Sequence, residues 1–205
     1  MTTPTVKTAT ADDEPALLDV LTLAFVADPF VRWLWPDARH YLIHGSSYIR
    51  AFGGKAFAHG TAYYIDGRRG AALWLPPDAN VDRSKVLALA LVSVSRQIRD
   101  DVVALVDQAS GSHPSEPHWF LPIIGIDPIY RRKGYGSALM RDALDACDRD
   151  KTLAYVECTS MENVPFYMRH GFEVLTETKV GSGPIIIPML RKPGEADRTQ
   201  DTASE

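Results

Sequence analysis

Stretches that repeat apolar residues at helical spacing alternate along this chain with shorter β-forming runs. Residues 6–10 have the composition of a short strand, and Ala11-Asp12-Asp13-Glu14-Pro15 supplies helix-start chemistry ahead of Leu17, Val20, Leu21, Ala24 and Phe25. Asp28-Pro29-Phe30 predicts a break, Trp33-Leu34-Trp35-Pro36 an aromatic elbow, and residues 41–57 a second helix ending near Gly60. Residues 61–65 and 71–75 flank Asp66-Gly67-Arg68-Arg69-Gly70, a Gly-containing loop that predicts an antiparallel hairpin, with Pro76-Pro77 ending its second strand. Long helical periodicity covers 81–108, followed by a Ser, Gly, Pro and His loop over 110–117.

Residues 118–126 are almost all apolar, as a buried central strand requires, but Pro122 lies inside them. Proline cannot donate to a ladder, so a bulge or splayed edge is expected there, leaving backbone groups free for something other than a neighbouring strand. A basic, Gly-rich turn at 131–136 opens a helix with Leu139, Ala143 and Cys147 on one face. A strand over 153–159 follows, then a short helix over 164–170, capped by Asn163 and ended by Gly171. Residues 172–178 and 185–190 pair around Gly181-Ser182-Gly183-Pro184. The expected fold class is mixed α/β, with a single domain predicted over 1–190 and a polar, disordered tail predicted over 191–205.

Composition narrows the function. The 205 residues are 45 % apolar and 23 % charged, which excludes a largely disordered chain. Twenty-two Lys and Arg against 26 Asp and Glu leave a formal charge of −4, so no global positive field exists to hold nucleic acid or an anionic membrane. Any anion site must be local. The longest apolar run, 86–92, falls far short of the roughly 18 to 20 residues that cross a bilayer. The polar, Thr-rich start lacks a basic and apolar leader, which predicts a cytoplasmic protein. Cys147 and Cys158 read as reduced core thiols, and no metal site is expected. The oligomeric expectation is monomer or homodimer, the 81–108 helix being the candidate contact face.

The stretch Ile123-Ile124-Gly125-Ile126-Asp127-Pro128-Ile129-Tyr130-Arg131-Arg132-Lys133-Gly134-Tyr135-Gly136-Ser137 carries the clearest chemistry. Strand, basic Gly turn and helix come in that order. Backbone N–H groups from Arg132 to Ser137 converge at a helix start, where amides lack intrahelical partners and the macrodipole is positive. Gly134 and Gly136 permit turn geometry and close approach, while Arg131, Arg132 and Lys133 add charge. A solvated basic turn is the alternative. The stretch is neither a P-loop, since GxxxxGK[ST] is absent, nor the dinucleotide fingerprint GxGxxG.

Arg-x-x-Gly-x-Gly resembles the acyl-CoA pyrophosphate signature of the GNAT superfamily of N-acyltransferases. The resemblance covers roughly residues 4–194, and its closest form is similar to puromycin N-acetyltransferase-like proteins. Thr5-Val6, Ala9-Thr10-Ala11-Asp12-Asp13, Glu116-Pro117, Trp119-Phe120-Leu121, Lys133-Gly134, Gly136-Ser137-Ala138, Pro165-Phe166-Tyr167, Gly171-Phe172 and Arg191-Lys192-Pro193-Gly194 carry it. It implies a mainly antiparallel central sheet with helices on both faces, whose fourth and fifth strands splay into a V that admits acetyl-CoA as co-substrate. The V falls at Pro122. Ile124, Gly125 and Ile126 are then the backbone contacts, Tyr135 belongs to the phosphate turn, and Asn163 and Phe166 stand beside the pantetheine. Tyr167 occupies the place of the tyrosine that protonates the departing thiolate, although it can also simply pack with Phe166 against the sheet.

A base must take a proton from the acceptor ammonium, directly or through water. Glu157 on the fifth strand is the first candidate, because a partly buried carboxylate there can titrate high, though strand parity can equally aim it at a structural partner. Glu116 and His118 are the alternatives at the mouth of the fourth strand. Trp33 and Trp35 are expected in the acceptor site, whereas Tyr63, Tyr64 and Trp74 read as core. Two departures bear on the transfer of function. Residues 28–37 differ from the puromycin pattern, and Arg132 stands where a glycine is common. The implied activity is acetyl transfer to a primary amine of a small molecule, an antibiotic or metabolite; the competing reading is a non-catalytic acyl-CoA sensor.

Overall fold

The computed structural model describes residues 4–194. Seven strands form one sheet in the order β1-β2-β3-β4-β5-β7-β6: β1 Val6–Thr8, β2 Ala62–Ile65, β3 Gly70–Leu75, β4 His118–Ile126, β5 Leu153–Cys158, β6 Glu173–Val174 and β7 Ile187–Arg191. All pairings are antiparallel except β4 with β5. The helices are α1 Glu14–Ala24, α2 Pro29–Leu34, α3 Ala38–Gly53, α4 Lys55–His59, α5 Arg83–Ser93, α6 Arg99–Gly111, α7 Tyr135–Arg149 and α8 Val164–Met168. None of the described helices is long and apolar enough to cross a membrane.

Two faces of the sheet carry separate cores. Trp74, Trp119, Leu121, Val156 and Met189 pack under α7 through Leu139, Met140, Ala143 and Cys147. On the other face Leu73, Leu75, Phe120, Ile123 and Tyr155 pack under α1 and α3 through Leu17, Leu21 and Ile49. A third cluster, built on Trp35, Tyr41, Val31, Ala90 and Val102, joins α2, α3, α5 and α6 beside the second. Cys147 and Cys158 are free and buried, and burial pushes the Cys147 thiol up to about 12, so both behave as small apolar residues.

The fourth strand matches its expected bounds, and Pro122 does what a proline in a ladder must. Leu73 pairs with Ile123 and Leu75 with Phe120, so Leu121 and Pro122 share the space opposite Trp74: a β-bulge. The extra residue shifts side-chain parity by one. Ile123 therefore joins Phe120 on the α1 face, and Ile124 and Ile126 turn to the α7 face. Pairing of β4 with β5 covers His118–Leu121 against Leu153–Val156 and stops there, opening the V.

Several local expectations are corrected. Asp28-Pro29 ends one helix and starts the next: Asp28 accepts from the N–H groups of Phe30 (2.9 Å) and Val31 (3.2 Å) and caps α2, so the aromatic elbow is helical through Leu34. The 41–57 helix is two helices, and so is the 81–108 helix, which breaks at Val94-Ser95 to wrap the Trp35 cluster. Asn163 makes no capping bond; a 3-10 turn, Met161–Asn163, leads into α8. Arg191 lies in β7 and its guanidinium grips the Asp148 carboxylate through two bonds of 2.7 and 2.8 Å, which also accepts from the Gly194 N–H. The remainder of the expected tail, 195–205, lies outside the described residues.

Candidate active site

One cleft opens along the free edge of β4 and the start of α7. Gly134 caps that helix in the left-handed region (φ 80°), a conformation glycine adopts without a Cβ clash, and Arg132 shares it at φ 60°. The turn brings the amides of Tyr135, Gly136 and Ser137 to the helix start. The cleft is lined by Ile124, Gly125, Ile126, Arg131, Arg132, Gly134, Tyr135, Gly136, Ser137, Asn163, Phe166 and Tyr167, so the residues expected to hold a pyrophosphate and pantetheine converge, except Lys133. Lys133 sits over the Tyr130 ring at 5.0 Å. Arg131 is tied back, its guanidinium donating to the Ala24 carbonyl (2.8 Å) at the C-terminus of α1. A Cβ on Gly136 would stand 3.2 Å from the Phe166 ring.

A second cleft opens on the opposite side of the V, and its walls are aromatic and aliphatic. Trp35 meets Tyr48 edge-on (5.4 Å between centroids), Tyr48 stacks on Phe52 (6.2 Å), and Phe52 meets Phe120 (5.9 Å). Glu157 faces this cleft, since it shares strand parity with Tyr155 and lies opposite Val156 and Cys158. Its Oε1 stands 3.6 Å from His113 Nε2 and 3.5 Å from the Tyr155 hydroxyl. Burial and the Glu157 charge hold the Tyr48 phenol above its ordinary value. His113 Nδ1 is 2.9 Å from His118 Nε2, and His118 Nδ1 is 2.8 Å from the Glu116 carbonyl oxygen. Burial depresses the His118 imidazole. A neutral His118 that donates from Nδ1 to Glu116 leaves Nε2 to accept from His113.

The two clefts share Phe25, Asp28, Ile124, Asn163 and Tyr167, so they meet through the V. Tyr167 is 7 % exposed, and its ring is fixed by Phe166 and Phe172. Burial, then the neighbouring Cys158 and Asp28, raises its phenol well above the ordinary value, so the hydroxyl keeps its proton. Asp28 Oδ2 accepts from Thr159 Oγ1 (2.6 Å), and burial raises this carboxyl despite its three bonds.

Sequence comparison agrees with this geometry. Residues 118–192 match the acetyltransferase (GNAT) domain family. A solved structure described as histone acetyltransferase HPA2 and related acetyltransferase, from Corynebacterium glutamicum, is 25 % identical and aligns over 96 % of this chain and 99 % of its own, with a TM-score of 0.65. Arylalkylamine N-acetyltransferase 2 from Aedes aegypti (12 % identity, 94 % and 100 % covered, TM-score 0.64) has the same fold. So does the Drosophila melanogaster polyamine N-acetyltransferase (14 %, 93 % and 100 %, TM-score 0.63). The chain is built as an acyltransferase.

The structure separates the remaining expected acceptor residues. Trp35 is 1 % exposed and lines the second cleft. Trp33 instead donates from Nε1 to Ser182 Oγ (3.2 Å), and Glu116 and His118 lie outside the lining, His118 reaching it through His113. Trp74 is fully buried core, as expected. Sequence reading missed Asp28, His113 and Arg169. In the sequence the Asp-Pro pair reads as a break between elements, and His113 as one polar residue in a polar loop. Arg169 follows α8 and adds a cation to the lining of the first cleft.

Proposed function

We propose that this chain is an acetyl-CoA-dependent N-acetyltransferase acting on a primary amine of a small molecule. The observation that carries the reading is the passage through the sheet at Pro122, where the two clefts meet beside the Tyr167 hydroxyl. When bound, acetyl-CoA supplies an acetyl group activated as a thioester, open to direct attack by the amine. The first cleft fits such a ligand. The amides of 135–137 with Arg132 and Arg169 suit phosphates, and the unpaired edge of Ile124, Gly125 and Ile126 suits the amides of a pantetheine arm. Gly136 leaves the room that a Cβ would take beside Phe166.

Tyr167 is the proton donor for the leaving thiolate: it stays protonated, its ring is held by Phe166 and Phe172, and it lines both clefts where they meet. Asp28 holds the acceptor ammonium there by charge. Glu157 takes the amine proton, and His113 and His118 carry it outward along the bonded nitrogens. The segment around Trp33 and Trp35 is where a puromycin-like specificity would reside, and its altered sequence keeps the acceptor at the level of a class. The test is mass spectrometry of an amine panel, puromycin included, with acetyl-CoA and purified protein. A product heavier by one acetyl group is expected. Tyr167→Phe should lower kcat about 10²–10⁴-fold with acetyl-CoA affinity unchanged. Absence of any acetylated amine, or full turnover by Tyr167→Phe, refutes the assignment.

A further inference from the structure

The second cleft has a charge distribution that selects among amines, and an inference from it rests on reading that cleft as the acceptor site. Its described lining contains two carboxylates, Asp28 and Glu157. Both stand at one end: Glu157 is on β5, and Asp28 accepts from Thr159, which directly follows that strand. Away from this end the lining comes mainly from α2, α3, α5 and α6, and it is uncharged except for Arg83 and largely apolar, with Phe30, Trp35, Phe52, Val86, Leu105 and Val106 beside the hydroxyls of Tyr41, Tyr48 and Ser112. The remaining fixed charge is Arg83, whose guanidinium donates to Ser110 Oγ (2.7 Å).

We infer that the acceptor is a monocationic primary amine on an apolar body the size of a ring or a short alkyl chain, and that polycationic amines are excluded. The ammonium lies between Asp28 and Glu157, at the junction with the first cleft. The body covers the aromatic wall and displaces water from it. A second ammonium on the same body would be desolvated against hydrocarbon, with Arg83 as its nearest fixed charge and no carboxylate to pair it. This separates the chain from an enzyme of the same fold whose acceptors are polyamines, where a distal cation must be met by charge.

The test measures binding apart from chemistry. Phenethylamine and hexylamine are titrated by calorimetry into the full chain saturated with CoA, in parallel with hexamethylenediamine, spermidine and a lysine peptide. The monocations are expected to bind roughly 100-fold more tightly than the diamine of matched length. Equal or tighter binding of hexamethylenediamine or spermidine overturns the inference, and so does failure of both monocations to bind. Binding of the monocations, with no acetylated product when the same amines are incubated with the chain and acetyl-CoA, upholds the inference about the cleft and refutes the transferase reading, so the two failures are distinct. Val106→Glu places a carboxylate on the apolar wall at a half-buried helix position and should shift the ratio of hexamethylenediamine to hexylamine affinity about tenfold toward the diamine. An unchanged ratio in a folded variant counts against the inference.

Discussion

Asp28→Asn isolates a charge from the bonds that charge makes. Asparagine is as good a helix cap as aspartate, so its Oδ1 can accept from Phe30 and Val31 while its Nδ2 donates to Thr159 Oγ1. What disappears is a buried negative charge. Burial raises the Asp28 carboxyl above the value it has in the unfolded chain, outweighing the bonds from Thr159, Val31 and Phe30. The folded state therefore holds its proton to higher pH than the unfolded state. Stability that is complete below about pH 4 is lost as pH rises through the folded carboxyl's range, and is flat beyond it. Each pH unit of elevation amounts to about 1.4 kcal/mol at neutral pH, and each kcal/mol moves Tm by about 2–4 °C in a chain of this size. Asp28→Asn should thus melt a few degrees higher than the parent at neutral pH, with the gap closing near pH 4. The assay is paired thermal melts across that range. Activity should move oppositely, kcat/KM for the amine falling about tenfold or more as the ammonium loses a counter-charge. A variant less stable at neutral pH, or a gap that ignores pH, refutes the reasoning.

Three further outcomes follow from contacts elsewhere. His113→Phe keeps the ring contacts with Phe120 (4.8 Å) and Tyr155 (4.5 Å) but removes the nitrogen link from Glu157 to His118, so kcat should drop about tenfold or more with acetyl-CoA affinity unchanged; steady-state kinetics with both substrates varied checks it. Gly136→Ala drives a methyl to within 3.2 Å of Phe166 and narrows the first cleft, raising the calorimetric Kd for CoA about tenfold without loss of helical signal. Asp148→Ala removes both guanidinium bonds from Arg191 and the Gly194 bond. The partly solvated pair makes the loss about 1–2 kcal/mol by denaturant titration at neutral pH. Because Arg191 holds the Asp148 carboxyl below its ordinary range, that contribution exists above about pH 4 and fades as the acid is protonated.

The fold was legible wherever a local rule had one physical outcome. β4 kept its expected bounds, since an apolar run enclosed by a polar loop and Asp127-Pro128 has few other solutions, and a proline in that run forces a bulge or a parting of strands; both occur. Rules with two outcomes misled. Asp-Pro is at once a stop for the helix before it and the best start for the one after, so the aromatic elbow was α2. Helical periodicity over 81–108 continues across Val94-Ser95 because the pattern records which residues are apolar, not whether the axis turns. It turns there to enclose Trp35, a long-range demand that no window of the sequence contains.

The site divides along the same line. The phosphate-type cleft comes largely from one contiguous stretch, because amides at a helix start and the strand before it are neighbours by connectivity, and so the 124–137 residues were named almost completely. The opposite cleft draws Asp28, Tyr48, His113 and Glu157 from four distant segments. The direction of Glu157 was undecidable from period-two alternation alone, which says that Glu157 and Tyr155 share a face without saying which face carries α1 and α3. Asp28 was hidden more deeply, since its capping bonds are a complete structural explanation of its identity. What singles it out is its place at the junction of both clefts, where burial raises its carboxyl and the fold alone would favour a neutral cap. A cap that Asn could fill at lower electrostatic cost points to the ammonium as the reason for aspartate.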